Sequence, residues 1–245
     1  HGLAIPEGLL TGFSLRSAES SATPIVCDVN DGVLVFDTDV KASMGAVIEL
    51  KAPFDAPRLA LHLLVGTLPG QSLPPIDLRV ATTRGTNALL ENKGDSFALV
   101  LNEGMEDLLE IGDQSRRDIF ALETHRESLT AKATLETSSR LDNKGERLSL
   151  AHDRELDLIA ERLKETQVDA CGISLIHAHL DPDFEKNIAE QLSRRGVENI
   201  IRATELSKSH GLGARTETLA VEASLHGIMK SFVDELLPTT MNHRN

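Results

Sequence analysis

Residues 82–87, Thr-Thr-Arg-Gly-Thr-Asn, concentrate short polar side chains between two apolar stretches. Thr hydroxyls and the Asn87 amide donate and accept hydrogen bonds, which is what an amide or lactam ring asks of its binding groups. Arg84 adds a forked donor suited to carboxylate or phosphate. Gly85 lets the backbone turn tightly or approach a ligand. If Thr86 or Asn87 opens a helix, the free amides there offer further donors to an anion. The same residue types are also ordinary helix caps and turn formers. On chemistry alone that plainer reading carries the greater weight.

Other residues invite chemistry less strongly. His177 and His179 lie two apart at what reads as a strand end, so they share a face that could grip a metal, with Cys171 and His210 as further candidates. No third ligand has usable spacing, so no metal is expected. Arg215 and Thr218 open the last helix, where an anion or a plain capping role would fit. The charged run from Asp107 to Asp118, which includes Gln114 and Arg116, reads as a solvated face. No Gly-x-Ser-x-Gly elbow supports nucleophilic hydrolysis.

The elements that must position these residues read as α/β layers. "IDLRVAT" is strand-like, and a strand over 77–81 would set residues 82–87 at a carboxyl edge, where such sheets bind ligands. A short helix over 86–92, a strand at "SFALVLN" and a short helix at "GMEDLLEIG" follow. "AKATLETSSRLDNKGERLSL" suggests two exposed strands joined at Asn143-Lys144-Gly145. Residues 153–166 form an amphipathic helix, and "DACGISLIHAH" a buried strand. In "DPDFEKNIAEQLSRRG" Asp181 can cap a helix, Pro182 suits its first position and Gly196 its stop. "VENIIRA" is a strand, and the last helix runs from about 215 to 237. Residues 1–54 differ: two β-prone runs around Asp31-Gly32 signal a hairpin, and "GAVIEL" adds a third strand. "APRLALHLLVG" reads as a buried helix. We therefore expect a β-rich segment over 1–54 and an α/β domain with a layered mixed sheet over 55–245.

Composition bounds the function. The 245 residues are 40% hydrophobic yet hold seven Phe and no Trp or Tyr, so the core must be aliphatic. A net charge of −13 disfavours nucleic acid and anionic membranes. No apolar run reaches spanning length, and "HGLAIPEGLL" lacks the pattern of a signal peptide. Two distant cysteines fit a reducing cytoplasm. A chain that opens on His rather than Met is expected to be a processed or excised piece.

"TRGTNALLENKG", followed by "FALVLNEGMEDLLEIGDQSRRDIFAL", resembles the hydantoinase A / 5-oxoprolinase family. "RLDNKGE", "GISLIHAHLDPDFEKNIAEQL" and "RTETLAVEASLHGIMKSF" continue the resemblance in order, so it covers roughly residues 55–236. Residues 1–54 resemble the insert of longer, fused members.

The resemblance implies part of an actin-like, ribonuclease-H-like ATPase that opens a cyclic amide, such as 5-oxoproline, at the expense of ATP. It implies ATP and Mg²⁺ in the full-length protein, with none bound to this piece, and a hydantoinase B-like subunit or fused domain as partner; self-association is left open. It assigns Thr86, Asn87 and Arg116 to catalysis, and Thr82, Thr83, Arg84, Gly85 and Gln114 to substrate binding. The family's two glycine-rich phosphate loops are absent, so the piece alone is expected not to hydrolyse ATP. The family's Thr-Thr is Leu101-Asn102 here, its Phe is Met105, its Pro is Arg117 and its Glu is Ser139. These departures keep a second reading open: a non-catalytic interaction module, or a diverged paralogue.

Overall fold

The computed structural model describes residues 8–16, 23–40, 43, 45, 47–54, 56–68, 71, 74–75, 77, 79–112 and 129–240. The chain divides into two compact units, 1–82 with 231–245, and 83–230. The segment 1–54 thus falls within a unit that also takes in 55–82 and the C-terminal residues.

In the first unit, β1 (Ser14–Arg16), β2 (Val26–Asn30), β3 (Val33–Phe36) and β4 (Glu49–Lys51) form two antiparallel pairs, β1 with β4 and β2 with β3. Asn30 faces Val33 across a two-residue turn, with Asp31 and Gly32 both at positive φ, 48° and 77°. That backbone twist matches the strands it joins, as Asp-Gly predicts. α1 (Ala56–Val65) ends at Gly66, φ 73°. The expectation that α1 is buried all round does not hold: within its unit Leu61 and His62 are buried while Leu64 is 75% exposed.

The second unit holds the sheet that organises the molecule. α2 (Arg84–Leu90) leads to β5 (Phe97–Asn102), then α3 (Leu108–Ile111), β6 (Ala133–Thr137) and the short hairpin β7 (Arg140–Leu141) and β8 (Arg147–Ser149). α4 (Asp153–Thr166), β9 (Ala170–Ile173), α5 (Pro182–Arg194), β10 (Ile200–Arg202), α6 (Ala203–Leu206) and α7 (Leu212–Thr240) complete the order. The strands run β10-β9-β5-β6, parallel throughout. β5 is paired on both sides, and all six of its residues are buried. A central strand of a covered parallel sheet has no polar face, which is why "FALVLN" shows no alternation.

Helices cover both faces. Ala98, Val100, Cys171 and Ile173 pack under Leu156, Ile159, Ala160 and Leu163 of α4 and Phe184, Ile188 and Leu192 of α5. Phe97, Leu99, Leu101, Ala170 and Ile201 pack under Leu219, Ala220 and Ala223 of α7. The period of two along β5 splits its side chains between these layers. Gly172 permits the close approach of α7, because a Cβ there would sit 2.8 Å from Leu219 Cδ2 and 2.9 Å from Leu99 Cδ2.

Asp95 is bonded to the middle of α7. Its amide donates to Ser224 O at 2.7 Å, and its Oδ2 accepts from Gly227 N at 2.7 Å and Ile228 N at 3.1 Å. A carboxylate and an amide from outside the helix thus clamp its backbone. Gly227 makes room, since a Cβ there would lie 2.8 Å from Asp95 Oδ2.

Two expectations need correcting. No strand forms over 77–81 among the described residues; residues 77 and 79–81 are exposed, with Val80 at 42%, and β5 already has β6 and β9 as neighbours. The run "AKATLET" is not one arm of an exposed hairpin. It is β6, a parallel edge strand, and the hairpin at Asn143-Lys144-Gly145 joins β7 to β8 instead. Thr134 and Glu136 gave β6 the polarity of a solvent strand, which an edge position also tolerates.

Candidate functional site

In a parallel sheet covered on both faces, the strand ends and the loops after them are what can carry a site. At the carboxyl edge β5 ends on Asn102, whose buried amide bonds through both its nitrogen and its oxygen. Its Nδ2 donates to Ser139 O at 2.6 Å and its Oδ1 accepts from Ile176 N at 2.6 Å. One side chain thus ties the loop after β6 to the turn after β9. The Leu101-Asn102 departure supplies that tie.

The turn after β9 is pinned from three directions. Ser174 Oγ and Thr216 Oγ1 of α7 are 2.8 Å apart and buried. Glu185 of α5 is fully buried; Oε1 accepts from Leu175 N at 2.9 Å, and Oε2 from Thr204 N at 2.9 Å and Thr204 Oγ1 at 2.7 Å. Burial pushes its carboxyl above the ordinary range, against the pull of those donors and of Arg215. Arg215, fully buried, donates from Nη2 to Leu175 O at 2.8 Å and from Nη1 to Ser209 O at 2.8 Å and His210 O at 3.0 Å. It therefore ties loops together and is not open to an anion. Thr218 bonds back to Ala214 O at 2.9 Å.

A second acid serves the loop after β6. Glu155 accepts from Thr137 Oγ1 at 2.7 Å, Ser138 N at 2.9 Å and Ser138 Oγ at 2.5 Å. Burial would raise its pKa, but the bonds from Ser138 and Thr137 outweigh it and hold the carboxyl below its ordinary value. Its own amide donates to His152 Nδ1, so the residue that caps α4 and the residue that braces the loop are neighbours.

The histidines are arranged differently from the sequence expectation. β9 ends at Ile173, and His177 sits in a turn with φ 59° rather than at a strand end. His179 stacks on His210, centroids 4.7 Å apart and planes at 23°, while His177 lies 6.3 Å from His179. Cys171 lies in the core, where burial pushes its thiol up to about 12, so it does not join them. No group of three or more His, Cys, Asp or Glu able to hold a metal ion occurs among the described residues.

The polar run 82–87 lies elsewhere. Thr83 precedes α2 without a side-chain capping bond, and Arg84 to Asn87 form its first turn. Thr82, Thr83, Arg84, Thr86 and Asn87 are exposed. Gly85 faces α7, where a Cβ would meet Leu225 Cδ1 at 3.4 Å and Met229 Sδ at 3.6 Å. Leu225 is ten residues past Arg215 in one helix, which is roughly 15 Å along its axis. The run therefore lies toward the amino end of the sheet, beside Asp95, and is not part of the carboxyl-edge network. Gln114 and Arg116 lie outside the described residues.

At the amino edge a cleft of about 470 Å³ opens beside α7, lined by Lys164, Gln167, Glu198, Asn199, His226 and Lys230 among others. It was not foreseen from the sequence, because its lining comes from four separated loops and helices. Nor were Asn102 and Glu185, although a polar residue closing a wholly apolar run, as Asn102 does, is the sort of signal that marks such a tie.

Comparison with known proteins places these features. A model of the hydantoinase/oxoprolinase N-terminal region matches residues 31–196, a stretch that begins in the β2–β3 turn and takes in α2 and the sheet through α5. A 5-oxoprolinase 1 of Arabidopsis thaliana is 26% identical over 207 residues, covering 73% of this chain and 16% of that protein. A 5-oxoprolinase of Saccharomyces cerevisiae is 23% identical over 250 residues, covering 87% of this chain and 19% of that protein. The chain thus spans less than a fifth of the length of these relatives. The crystal structure of an ATP-dependent caprolactamase from Pseudomonas jessenii shares the fold, with a TM-score of 0.56 at 20% identity over 92% of this chain and 32% of its own.

Proposed function

Because this chain belongs to the hydantoinase/oxoprolinase N-terminal family, we propose that it contributes to an ATP-dependent enzyme that opens a cyclic amide of the 5-oxoproline or hydantoin type. The observation that carries the reading is the family match over 31–196, which contains both the 82–87 run and β5 with its neighbours. Relatives named 5-oxoprolinase and a caprolactamase of the same fold support it.

The chemistry gives such a chain a defined task. A five-membered lactam resists hydrolysis because its amide is planar and its nitrogen a poor leaving group. Transfer of the ATP γ-phosphoryl to the carbonyl oxygen, attack of one water on that carbon, cleavage of the C–N bond and hydrolysis of the resulting acyl phosphate by a second water give the open amino acid, ADP and phosphate. Catalysis of this kind is mostly positioning and charge stabilisation. In this reading Thr86 and Asn87, with Arg116, act on the ring amide, and Thr82, Thr83, Arg84, Gly85 and Gln114 bind it. Thr83, Thr86 and Asn87 are exposed to solvent, where a ligand could reach them. ATP and Mg²⁺ would belong to the full-length protein; among the described residues no group of three or more His, Cys, Asp or Glu could hold the metal. A hydantoinase B-like subunit or fused domain would complete the hydrolysis. The same exposure of 82–87 also suits a docking surface, which keeps the non-catalytic module as the second reading.

One experiment separates the two. With the full-length protein and ATP, phosphate release should depend on an added ring such as 5-oxoproline. Thr86→Ala and Asn87→Ala should each lower that release about tenfold or more, ~1.4 kcal/mol in the barrier, with melting temperature unchanged because both side chains are exposed. Release that ignores every cyclic amide would favour the module. Full activity in both variants would remove the site assignment.

A further inference from the structure

We infer that His179 and His210 form a proton-sensitive latch, seated on Arg215, which holds the 207–211 loop against the carboxyl edge at neutral pH and releases it in acid.

The latch has three joined parts. The buried guanidinium of Arg215 holds the 207–211 loop through Ser209 O and His210 O, and the turn after β9 through Leu175 O. The His179 ring, carried by that turn, stacks on the His210 ring, carried by that loop. The third contact joins ring to guanidinium, with Arg215 Nη1 3.4 Å from His179 Nδ1. A guanidinium has donors and no acceptor, and Nη1 already serves Ser209 O and His210 O, so a lone pair on the facing Nδ1 is favoured over a second N–H. The closed latch therefore favours a neutral His179 with its proton on Nε2.

Protonation puts an N–H on Nδ1, pointed at a cation. The groups acting on His179 all oppose that charge: Arg215 from α7, His210 from the loop and His177 from its own turn. None is a carboxylate. Glu185 of α5 stands behind Arg215 with its oxygens occupied by Leu175 N and Thr204. Asp181, at the start of α5, is paired with Arg147 of β8 at 2.9 Å. Burial, then Arg215, His210 and His177, keep His179 below its ordinary 6.5. The sign follows: a base with a lowered pKa in the closed form binds its proton better in the open form. Closure is complete above the ordinary value and is lost as pH falls through the lowered one.

Backbone bonds hold the two ends of the loop, Ser207 N to Ala203 O at 3.0 Å and Arg215 N to Gly211 O at 3.2 Å, and leave its middle to the latch. Lys208, Ser209, His210 and Gly211 are exposed, and its internal bond is a single one from Ser209 N to Ser207 Oγ at 3.2 Å. Opening would uncover Thr216 and Ser174 beneath the start of α7. The latch does not depend on the assignment of residues 82–87, and its test reads no catalysis, so either can fail alone.

The test is hydrogen exchange of residues 207–211 in this chain at about pH 7.5 and about pH 5.5, corrected for intrinsic rates, beside imidazole ¹⁵N shifts. Protection of the loop should fall in acid, and His179 Nδ1 should be unprotonated at the higher pH. Each unit between the closed and open midpoints is worth about tenfold in the open population. His179→Phe, which keeps a ring to stack and removes the proton site, should leave protection independent of pH. Loop protection equal at both pH values, or a protonated Nδ1 in the unaltered chain at the higher pH, overturns the latch. So does a His179→Phe variant that still opens in acid.

Discussion

Replacing Glu185 with Gln tests whether the carboxyl edge is held as described. The carboxylate serves two backbone donors from different oxygens: Leu175 N on Oε1 and Thr204 N on Oε2. A Gln amide has the same shape but one oxygen. Whichever way it is turned, its NH₂ faces one of those amides and leaves it without an acceptor. Thr204 Oγ1 can rotate to accept from that NH₂, so the orphan count stays at one. A buried donor left unpaired costs about 1–3 kcal/mol, and Glu185 is wholly buried. Glu185→Gln should therefore lower stability by about 2 kcal/mol, or about 4–8 °C in melting temperature for a unit of this size. Glu185→Ala orphans both amides and should cost more. Urea unfolding followed by far-UV circular dichroism measures both. A Gln variant within about 0.5 kcal/mol of the parent, with an unchanged slope, would mean that the two amides find other partners and that the edge does not depend on this acid.

Glu155→Gln addresses the second acid. Burial acts to raise its pKa, yet the bonds from Ser138 and Thr137 prevail and the folded value is lowered. Its contribution is therefore full above the ordinary 4.5 and is lost as pH falls below it. The variant should be about 1–2 kcal/mol less stable at neutral pH and should lose stability less steeply in acid, read by urea unfolding across pH; parallel profiles would contradict the assignment. Gly227→Ala probes the Asp95 clamp on α7. Helix propensity alone predicts a gain of about 0.8–1 kcal/mol, whereas the 2.8 Å approach to Asp95 Oδ2 predicts a net loss of about 1–3 kcal/mol. Faster exchange at the amides of 227 and 228 should accompany that loss, and a stabilised variant would refute the clamp.

Much of the framework is legible in the residues themselves. Pro182 and the spacing of Phe184, Ile188 and Leu192 mark α5, and Leu156, Ile159, Ala160 and Leu163 mark the buried stripe of α4. The unbroken apolar run of β5 announces a strand covered on both faces. What the chain does not announce is which backbone pairs with which. Residues 77–81 have the composition of a strand but no ladder, while the more polar β6 is paired along β5. The polar run 82–87 was legible as a cluster of hydrogen-bonding groups, but its position depended on the strand that did not form. The ties from Asn102 and Glu185, and that from Arg215 to Leu175, span 10 to 74 positions in sequence, and no local pattern reports a bond of that reach.

The two compact units differ in how they are written into the chain. Residues 83–230 form one uninterrupted stretch, whereas the other unit needs both the first 82 residues and the stretch from 231 onward. Synthesis therefore completes residues 83–230 before it supplies the stretch from 231 onward that the other unit also needs. Cutting the chain after Lys230 would therefore spare every residue of the parallel sheet and deprive the β-rich part of its final piece.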